Sequence, residues 1–466
     1  MNELIFLIAF PAVVVCGSFL AIQFPRVRDL LLVSTLFSTA MVYLLDINFL
    51  GRPWYRGTSL GMEFSFLDAM VLTLIITSFA THTRYRTPWF LPPALAWMLI
   101  YFAFCVLNVL THDPKVFGAW ELSKIFRGIL AFTSVCYAIR NSDDLKLFTY
   151  GICAAIYFEG SMAIADRYLN GTFRVSGSFD HPNGLSLFCC MATPLLLAAG
   201  SSRTTRSLQY CCWGAVPFAV LAVILTVSRT GFVVIFATSA VTLAIVSGFK
   251  ISPRRVALAF LILVASCGIL FKSWDTVMER FAGVSLEEEF AAGQGDQKYQ
   301  GRGMYFELAE AIVADRPWGV GLNNWSYYVS DYYGPMLGYE YRGYEGTEIA
   351  PDRTPMPGSN LMQGQAAPAH NLYLLTAGEL GWAGLAIFVV LWFMWLRMSI
   401  PFFLHRNESI MNRFAIGVTI GLLAAMLQCL TEWIFRYAPV FFMCHFYAGA
   451  LSRLYYHQRQ LLRRAS

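Results

Sequence analysis

Charge is scarce in this 466-residue sequence: Asp, Glu, Lys and Arg together make up 14% of it, while 57% is apolar and 16% aromatic. Soluble globular domains carry about 25% charge, so a water-soluble fold is excluded. Cysteine is absent from the longest polar stretch, and all eleven cysteines fall inside apolar runs. That placement argues against a disulfide framework and against a cysteine metal site, and makes them small buried hydrophobes. Histidines at metal-ligand spacing are also missing, and no Asp-x-Asp lies on the side that carries the other unusual polar groups, so no metal or cofactor is expected. The net charge of +5 calls for no nucleic acid, because basic residues between spans orient membrane proteins.

What is present is a series of apolar runs, each close to the roughly 20 residues that a helix needs to cross a bilayer. They fall near residues 4–23, 30–48, 63–80, 90–111, 119–139, 146–165, 184–200, 209–227, 230–248, 256–272, 371–396, 414–434 and 438–456. A lipid-exposed backbone must satisfy its hydrogen bonds internally, so each run is expected to be a helix. The fold class is therefore an all-α polytopic membrane protein with about 12–13 transmembrane helices. Three regions follow: N-terminal membrane helices over 1–272, a large loop with an amphipathic helix over 273–370, and C-terminal membrane helices with a tail over 371–466. The first run has no Lys or Arg before it and no small-residue cleavage site, which makes it a retained span.

Basic residues set the sidedness. The loops after odd-numbered spans carry Arg26, Arg28, Arg84, Arg86, Arg140, Lys146, Arg203, Arg206, Lys250, Arg254 and Arg255, and the tail adds Arg453, Arg459, Arg463 and Arg464. The positive-inside rule puts these in the cytoplasm, with the N-terminus periplasmic and the C-terminus cytoplasmic. The large loop after Lys272 holds 14 acids against six bases and is then external. Its residues 284–300 are acidic and rich in Gly and Gln. Residues 303–315 place Tyr305, Phe306, Ala309, Ile312 and Val313 near one face at helical spacing, the pattern of a helix lying on the membrane or on the bundle. Arg316-Pro317 ends it, and the stretch up to 369 reads as irregular.

The unusual polar groups gather on that external face. Arg174, His181 and Asn183 lie in RVSGSFDHPNGL, just before a span; Arg229 lies in TVSRTGF, where two spans meet; Arg302 opens the loop helix; and His370 with Asn371 opens the next span. A guanidinium between apolar runs costs about 2.5–3.5 kcal/mol at mid-membrane and less near the interface. Arg229 therefore snorkels, pairs with an acid such as Glu432 or Asp180, or forms an anion site suited to phosphate. Arg174 and Arg302 could be ordinary loop arginines, but three outer arginines together fit a diphosphate. His370 is placed to accept a proton near neutral pH or to cap a helix. His181 with Pro182 and Asn183 reads as a helix-starting turn, and Arg316 as a further supporting cation. Glu379 lies about two and a half turns beyond His370 and reads as a buried packing or relay group.

RVSGSFDHPNGL, VSRTGF, GRGMYFELAEAIVADRPWGVGLNNW and HNLYLLTAGELGWAG, in this order, resemble the O-antigen ligase and O-antigen polymerase superfamily. The last contains His370-Asn371, nine residues, and then Gly381-x-x-Gly384. The resemblance covers residues 170–390, and the N-terminal third matches only in hydropathy. It implies a GT-C-like bundle in the bacterial inner membrane that transfers a glycan from undecaprenyl diphosphate to an acceptor on the periplasmic side, with no metal and no cofactor. The counterparts of Arg174, Arg229 and Arg302 bind the diphosphate in such proteins, and that of His370 is the proposed base. His181, Asn183, Asn371 and Arg316 would support them.

Within the superfamily a ligase uses lipid A-core as acceptor, whereas an O-antigen or exopolysaccharide polymerase extends a growing lipid-linked glycan; the His-Asn-x9-Gly pattern leans toward the ligase. A flippase or transporter would spread charge through a central cavity with paired broken helices. Charges gathered on one face favour an enzyme whose partners are membrane lipids, the lipid-linked glycan and its acceptor.

Overall fold

A computed structural model describes residues 3–44, 46–52, 54–84, 89–248, 302–339, 341 and 365–465. The long helices are α1 (Glu3–Gln23), α2 (Pro25–Phe37), α3 (Phe66–Ala80), α4 (Leu95–Thr111), α5 (Lys115–Ala138), α6 (Ser142–Tyr168), α7 (Pro182–Gly200), α8 (Arg206–Thr226), α9 (Arg229–Ser247), α10 (Gly303–Asp315), α11 (Leu372–Arg397), α12 (Ile410–Gln428) and α13 (Ala438–Ala465). Strands β1 (Asp46–Phe49) and β2 (Met62–Ser65) form one antiparallel pair, with Asp46 opposite Ser65. Seven of the described helices are long and apolar enough to cross a membrane, and the chain is an all-α polytopic membrane protein. The expected span at 256–272 and the acidic stretch 284–300 lie outside the described residues.

One expected span takes a different form, and another carries buried charge. The run at 30–48 stops being an α-helix at Phe37, tightens into a 3-10 turn over Ser38–Met41 and enters the hairpin. Apolar length alone could not separate a strand beside a short helix from a full span. The run at 119–139 does form α5, although Glu121, Lys124 and Arg127 all lie buried within it. Each is paired: Lys124 Nζ lies 2.8 Å from Glu121, and the Arg127 guanidinium donates twice to Asp68, at 2.8 and 2.7 Å. Pairing makes burial of such charges tolerable.

α7 is buried along its whole length, as expected of a helix that is apolar all round. It packs against α8, α9 and α12 and forms the axis of the bundle. A second, smaller core seats α10 on the start of α11, built from Met304, Leu308, Ile312, Trp325, Tyr333 and Leu375. The buried face of α10 is thus Met304, Leu308, Ala309, Ile312 and Val313; Phe306 is half exposed and Tyr305 half buried. α10 turns its face toward this second core, so the expected stripe is rotated by about one residue. α10 ends at Asp315, as Arg316-Pro317 requires. Residues 325–336, expected to be irregular, form three short helical turns.

α11 is broken at Gly381, whose φ of 68° and ψ of −175° leave the helical region. A Cβ at this position would lie 2.0 Å from the Pro317 carbonyl oxygen. Gly319, with φ +81°, faces the other side of the contact, where a Cβ would lie 2.3 Å from the Glu379 carbonyl. The break lets the loop approach, and the Val320 and Gly321 N–H groups donate to the carbonyls of Gly378 and Glu379, both at 2.9 Å. Backbone acceptors that a broken span would otherwise leave bare are satisfied.

Candidate active site

The connection from α6 to α7 is pinned along its length before it reaches the site. The Val175 N–H donates to the Leu225 carbonyl at 3.3 Å, Ser178 donates its N–H to the buried Glu159 carboxyl at 3.1 Å, and the Asp180 N–H donates to the Tyr437 hydroxyl at 2.5 Å. His181 then caps α7, its Nδ1 accepting from the Asn183 N–H at 3.2 Å, with Pro182 at the first helical position. Pro there supplies a φ already suited to the helix. The helix start fixes the Asn183 side chain, which accepts from Arg174 Nη2 at 3.2 Å and donates Nδ2 to Glu432 at 2.7 Å. Arg174 is further tied by Nε to the Thr226 carbonyl at 3.3 Å.

Glu432 is the point of convergence. It lies in the turn between α12 and α13 and is 3% exposed. Its Oε1 accepts from Asn183 and from Arg302 Nη2 at 3.3 Å, and its Oε2 lies 2.9 Å from His370 Nδ1. Arg302 N-caps α10 by position, so the loop helix delivers its cation to the same carboxylate. Asn371 caps α11, accepting from the N–H groups of Tyr373 and Leu374 at 2.9 and 3.0 Å and donating Nδ2 to the Leu430 carbonyl at 2.9 Å. That pair of contacts sets His370 beside the Glu432 turn.

Arg229 is the first residue of α9, capped by Ser228, which accepts from the Gly231 N–H at 3.3 Å. Its neighbour Thr230 accepts from the Thr431 hydroxyl at 3.0 Å, which stitches the α9 start to the residue preceding Glu432. Arg316 is not brought to this cluster. It lies at the other end of α10, about 20 Å along the helix from Arg302, with Asp315 at 3.7 Å and the Tyr328 ring at 4.7 Å. Glu379 forms a buried ion pair with Arg436.

The geometry has a direct chemical reading. A carboxylate only accepts hydrogen bonds, so the His370 nitrogen facing Glu432 is the one that carries hydrogen, and Nε2 becomes the proton acceptor. The Tyr305 ring lies 5.6 Å from the imidazole, and burial pushes its hydroxyl above the ordinary phenol range. Burial likewise lowers the His181 imidazole, partly opposed by Glu432 and reinforced by His370 and Arg174. Among the described residues, no three His, Cys, Asp or Glu side chains group as a metal site. Beside the cluster an open apolar groove of about 500 Å³ runs between α10 and α11, lined by Phe306, Ala309, Val313, Tyr373, Leu374 and Trp382.

Residues 214–389 match the family model described as O-Antigen ligase. This stretch of the chain is similar to the O-antigen ligase and polymerase superfamily. No curated protein matches the chain. The matched stretch spans α8 to α11 and includes Arg229, Arg302, His370 and Gly381. Arg174, His181, Asn183 and Glu432 lie outside it, although the structure joins all four directly to its residues or to one another. With its apolar helices, the chain is a multi-pass membrane protein.

The role of Glu432 as shared acceptor was not visible in the sequence, where it stood only as a partner for Arg229. The available signal was an isolated acid in TEWIFR between two apolar runs, which needs a buried donor.

Proposed function

We propose that this protein is a metal-independent inverting glycosyltransferase of the O-antigen ligase type. It moves a glycan from undecaprenyl diphosphate to a hydroxyl of lipid A-core on the periplasmic side of the inner membrane. The supporting observation is the His370–Glu432 contact set among arginines. Nε2 of His370 takes the proton of the acceptor hydroxyl, and the acceptor oxygen forms its bond to the anomeric carbon from the face opposite the leaving group. The bond from that carbon to the phosphate oxygen breaks, and its electron pair leaves with undecaprenyl diphosphate. Glu432 holds the imidazole in the required tautomer and offsets the imidazolium charge. Arg174, Arg229 and Arg302 stabilise the charge growing on the diphosphate. Glu432 accepts from Arg302 in the resting site, so an arriving diphosphate competes for that guanidinium. The sidedness follows from the basic residues that line the opposite loops.

The test is transfer by the purified full chain, given undecaprenyl-diphosphate glycan and either lipid A-core or a second lipid-linked glycan as acceptor. His370→Gln should lower the rate by about 10²- to 10⁴-fold, the usual contribution of general-base catalysis. Glu432→Gln should lower kcat more than it raises the donor KM. Wild-type turnover by His370→Gln would remove the mechanism, and transfer only to the second lipid-linked glycan would make the protein a polymerase.

A further inference from the structure

Among the described residues, one buried acid stands without a cation. Glu159 lies nine residues before the end of α6 and is 0% exposed. Asp68, Glu121, Asp144, Glu379 and Glu432, the other buried acids among the described residues, each meet a basic side chain. Glu159 meets none of the described cations. The ionisable groups within electrostatic reach of it are Asp166 on its own helix and Cys189 on α7, neither of them basic. A carboxylate taken out of water without a cation is costly, and such a group ordinarily takes up a proton.

The hydrogen bonds around Glu159 call for that proton. Its Oε2 accepts from the Ser178 N–H at 3.1 Å. Its Oε1 is hydrogen-bonded to the Ser178 hydroxyl, and the same hydroxyl is hydrogen-bonded to the Ala40 carbonyl in the 3-10 turn after α2. A serine hydroxyl has one hydrogen to give, whereas a carbonyl and a carboxylate have none. With an ionised Glu159, that one hydrogen is left to two acceptors. With a neutral Glu159 both contacts are satisfied: Oε1–H donates to Ser178 Oγ, and the Ser178 O–H donates to the Ala40 carbonyl. Gly177 makes room for the arrangement, because its φ is +60° and a Cβ there would lie 2.3 Å from Oε2. The acid thereby joins three segments: α6, the turn after α2, and the connection that carries Arg174 and His181.

We propose that Glu159 is held as a neutral carboxylic acid rather than a carboxylate, and that it is the positioning residue for the connection from Arg174 to His181. The importance of placing Arg174 rests on the glycosyl-transfer reading, but the test uses neither donor nor turnover, so the two can fail separately. Wild-type and Glu159→Gln full chains in detergent are compared by infrared difference spectroscopy at neutral pH. The difference should contain the carbonyl stretch of a protonated carboxyl; a solvated glutamate, ionising near about 4.3, would show carboxylate bands instead. Hydrogen exchange of residues 174–181 reads the anchoring. Glu159→Gln offers an amide N–H to Ser178 Oγ and a carbonyl to the Ser178 N–H, so its exchange should stay within about twofold of wild type, well under the effect of one lost hydrogen bond. Glu159→Leu offers neither and should exchange about tenfold faster, the scale of one buried hydrogen bond. Where Glu159→Leu does not fold, Ser178→Ala removes the hydroxyl between the acid and Ala40 and should loosen the same segment. Carboxylate bands in place of the carbonyl stretch would overturn the neutral acid. Unchanged exchange in Glu159→Leu or Ser178→Ala would overturn the positioning role, as would exchange in Glu159→Gln as fast as in Glu159→Leu.

Discussion

His181 caps α7 with a ring nitrogen that must be unprotonated to accept from the Asn183 N–H. Its folded-state pKa is lowered from 6.5, by burial first, with Glu432 opposing and with His370 and Arg174 adding to the shift. A base with a depressed folded pKa favours the neutral form in the native state. The stability it contributes is thus fully present above about 6.5 and is lost as pH falls through the lower folded value. A lost N-cap costs about 1 kcal/mol. The thermal midpoint of the wild-type chain in detergent should fall on acidification through this window, and His181→Asn, which caps without titrating, should flatten the response. An equal acid response in the variant would place the titration elsewhere. At this scale the sequence singled out Arg174 and Arg302, because a charge at a span end demands a reason, and the structure ties both to one hydrogen-bonded network. Pairings were not legible: Glu432 read as a partner for Arg229, and only the fold shows it accepting from Asn183, Arg302 and His370. Arg316 caps the far end of the helix that Arg302 opens, fourteen residues of rise away.

Among the elements, α11 and the loop it receives form the most exacting contact. Gly381→Ala would place a methyl against the Pro317 carbonyl in a backbone region that disfavours side chains. The expected cost is about 1–3 kcal/mol, expressed as displacement of residues 317–321 and loss of the Val320 and Gly321 hydrogen bonds. Limited proteolysis should cut the variant faster in the 302–339 segment, and transfer activity should drop with it; unchanged cleavage would mean the loop docks by other contacts. The Gly-x-x-Gly spacing was legible as a motif, yet its physical reason, the approach of a second backbone, belongs to residues some sixty positions earlier. The hairpin at 46–65 was missed for a related reason. A short helix followed by an alternating strand has the same mean apolarity as a span, and only pairing with β2 separates them. In α10 the helix and its stop were readable, while the buried face depended on a core shared with Trp325, Tyr333 and Leu375.

Across the whole molecule, buried ion pairs stand inside an apolar bundle, and most of them tie distant segments. Arg28 meets Asp144, Arg127 meets Asp68, Lys124 meets Glu121, and Arg436 meets Glu379. Lys124 also donates to the Arg436 carbonyl at 2.7 Å, and Glu121 accepts from Thr58 at 2.9 Å, so the first loop, α5, α11 and the 434–436 turn share one network. Removing a single partner strands a buried charge. Glu379→Leu alone should cost about 3–5 kcal/mol, whereas Glu379→Leu with Arg436→Met should be close to neutral. Thermal unfolding of the two variants in the same detergent decides this, and equal losses would show that the pair is not coupled. The membrane character and the gathering of cations on one face were plain from hydropathy and charge. These pairs were not, because hydropathy counts a charge in a span as a penalty and cannot see its partner.

The seat that α11 offers to Val320 and Gly321 also orders events in time. A ribosome releases residues 317–321 well before residues 378–381, so the loop waits, with two donors solvated, until the later helix has been inserted and has broken at Gly381. Docking of residues 317–321 is thereby tied to insertion of α11, and a chain stalled before α11 would lack the two carbonyls that seat Val320 and Gly321.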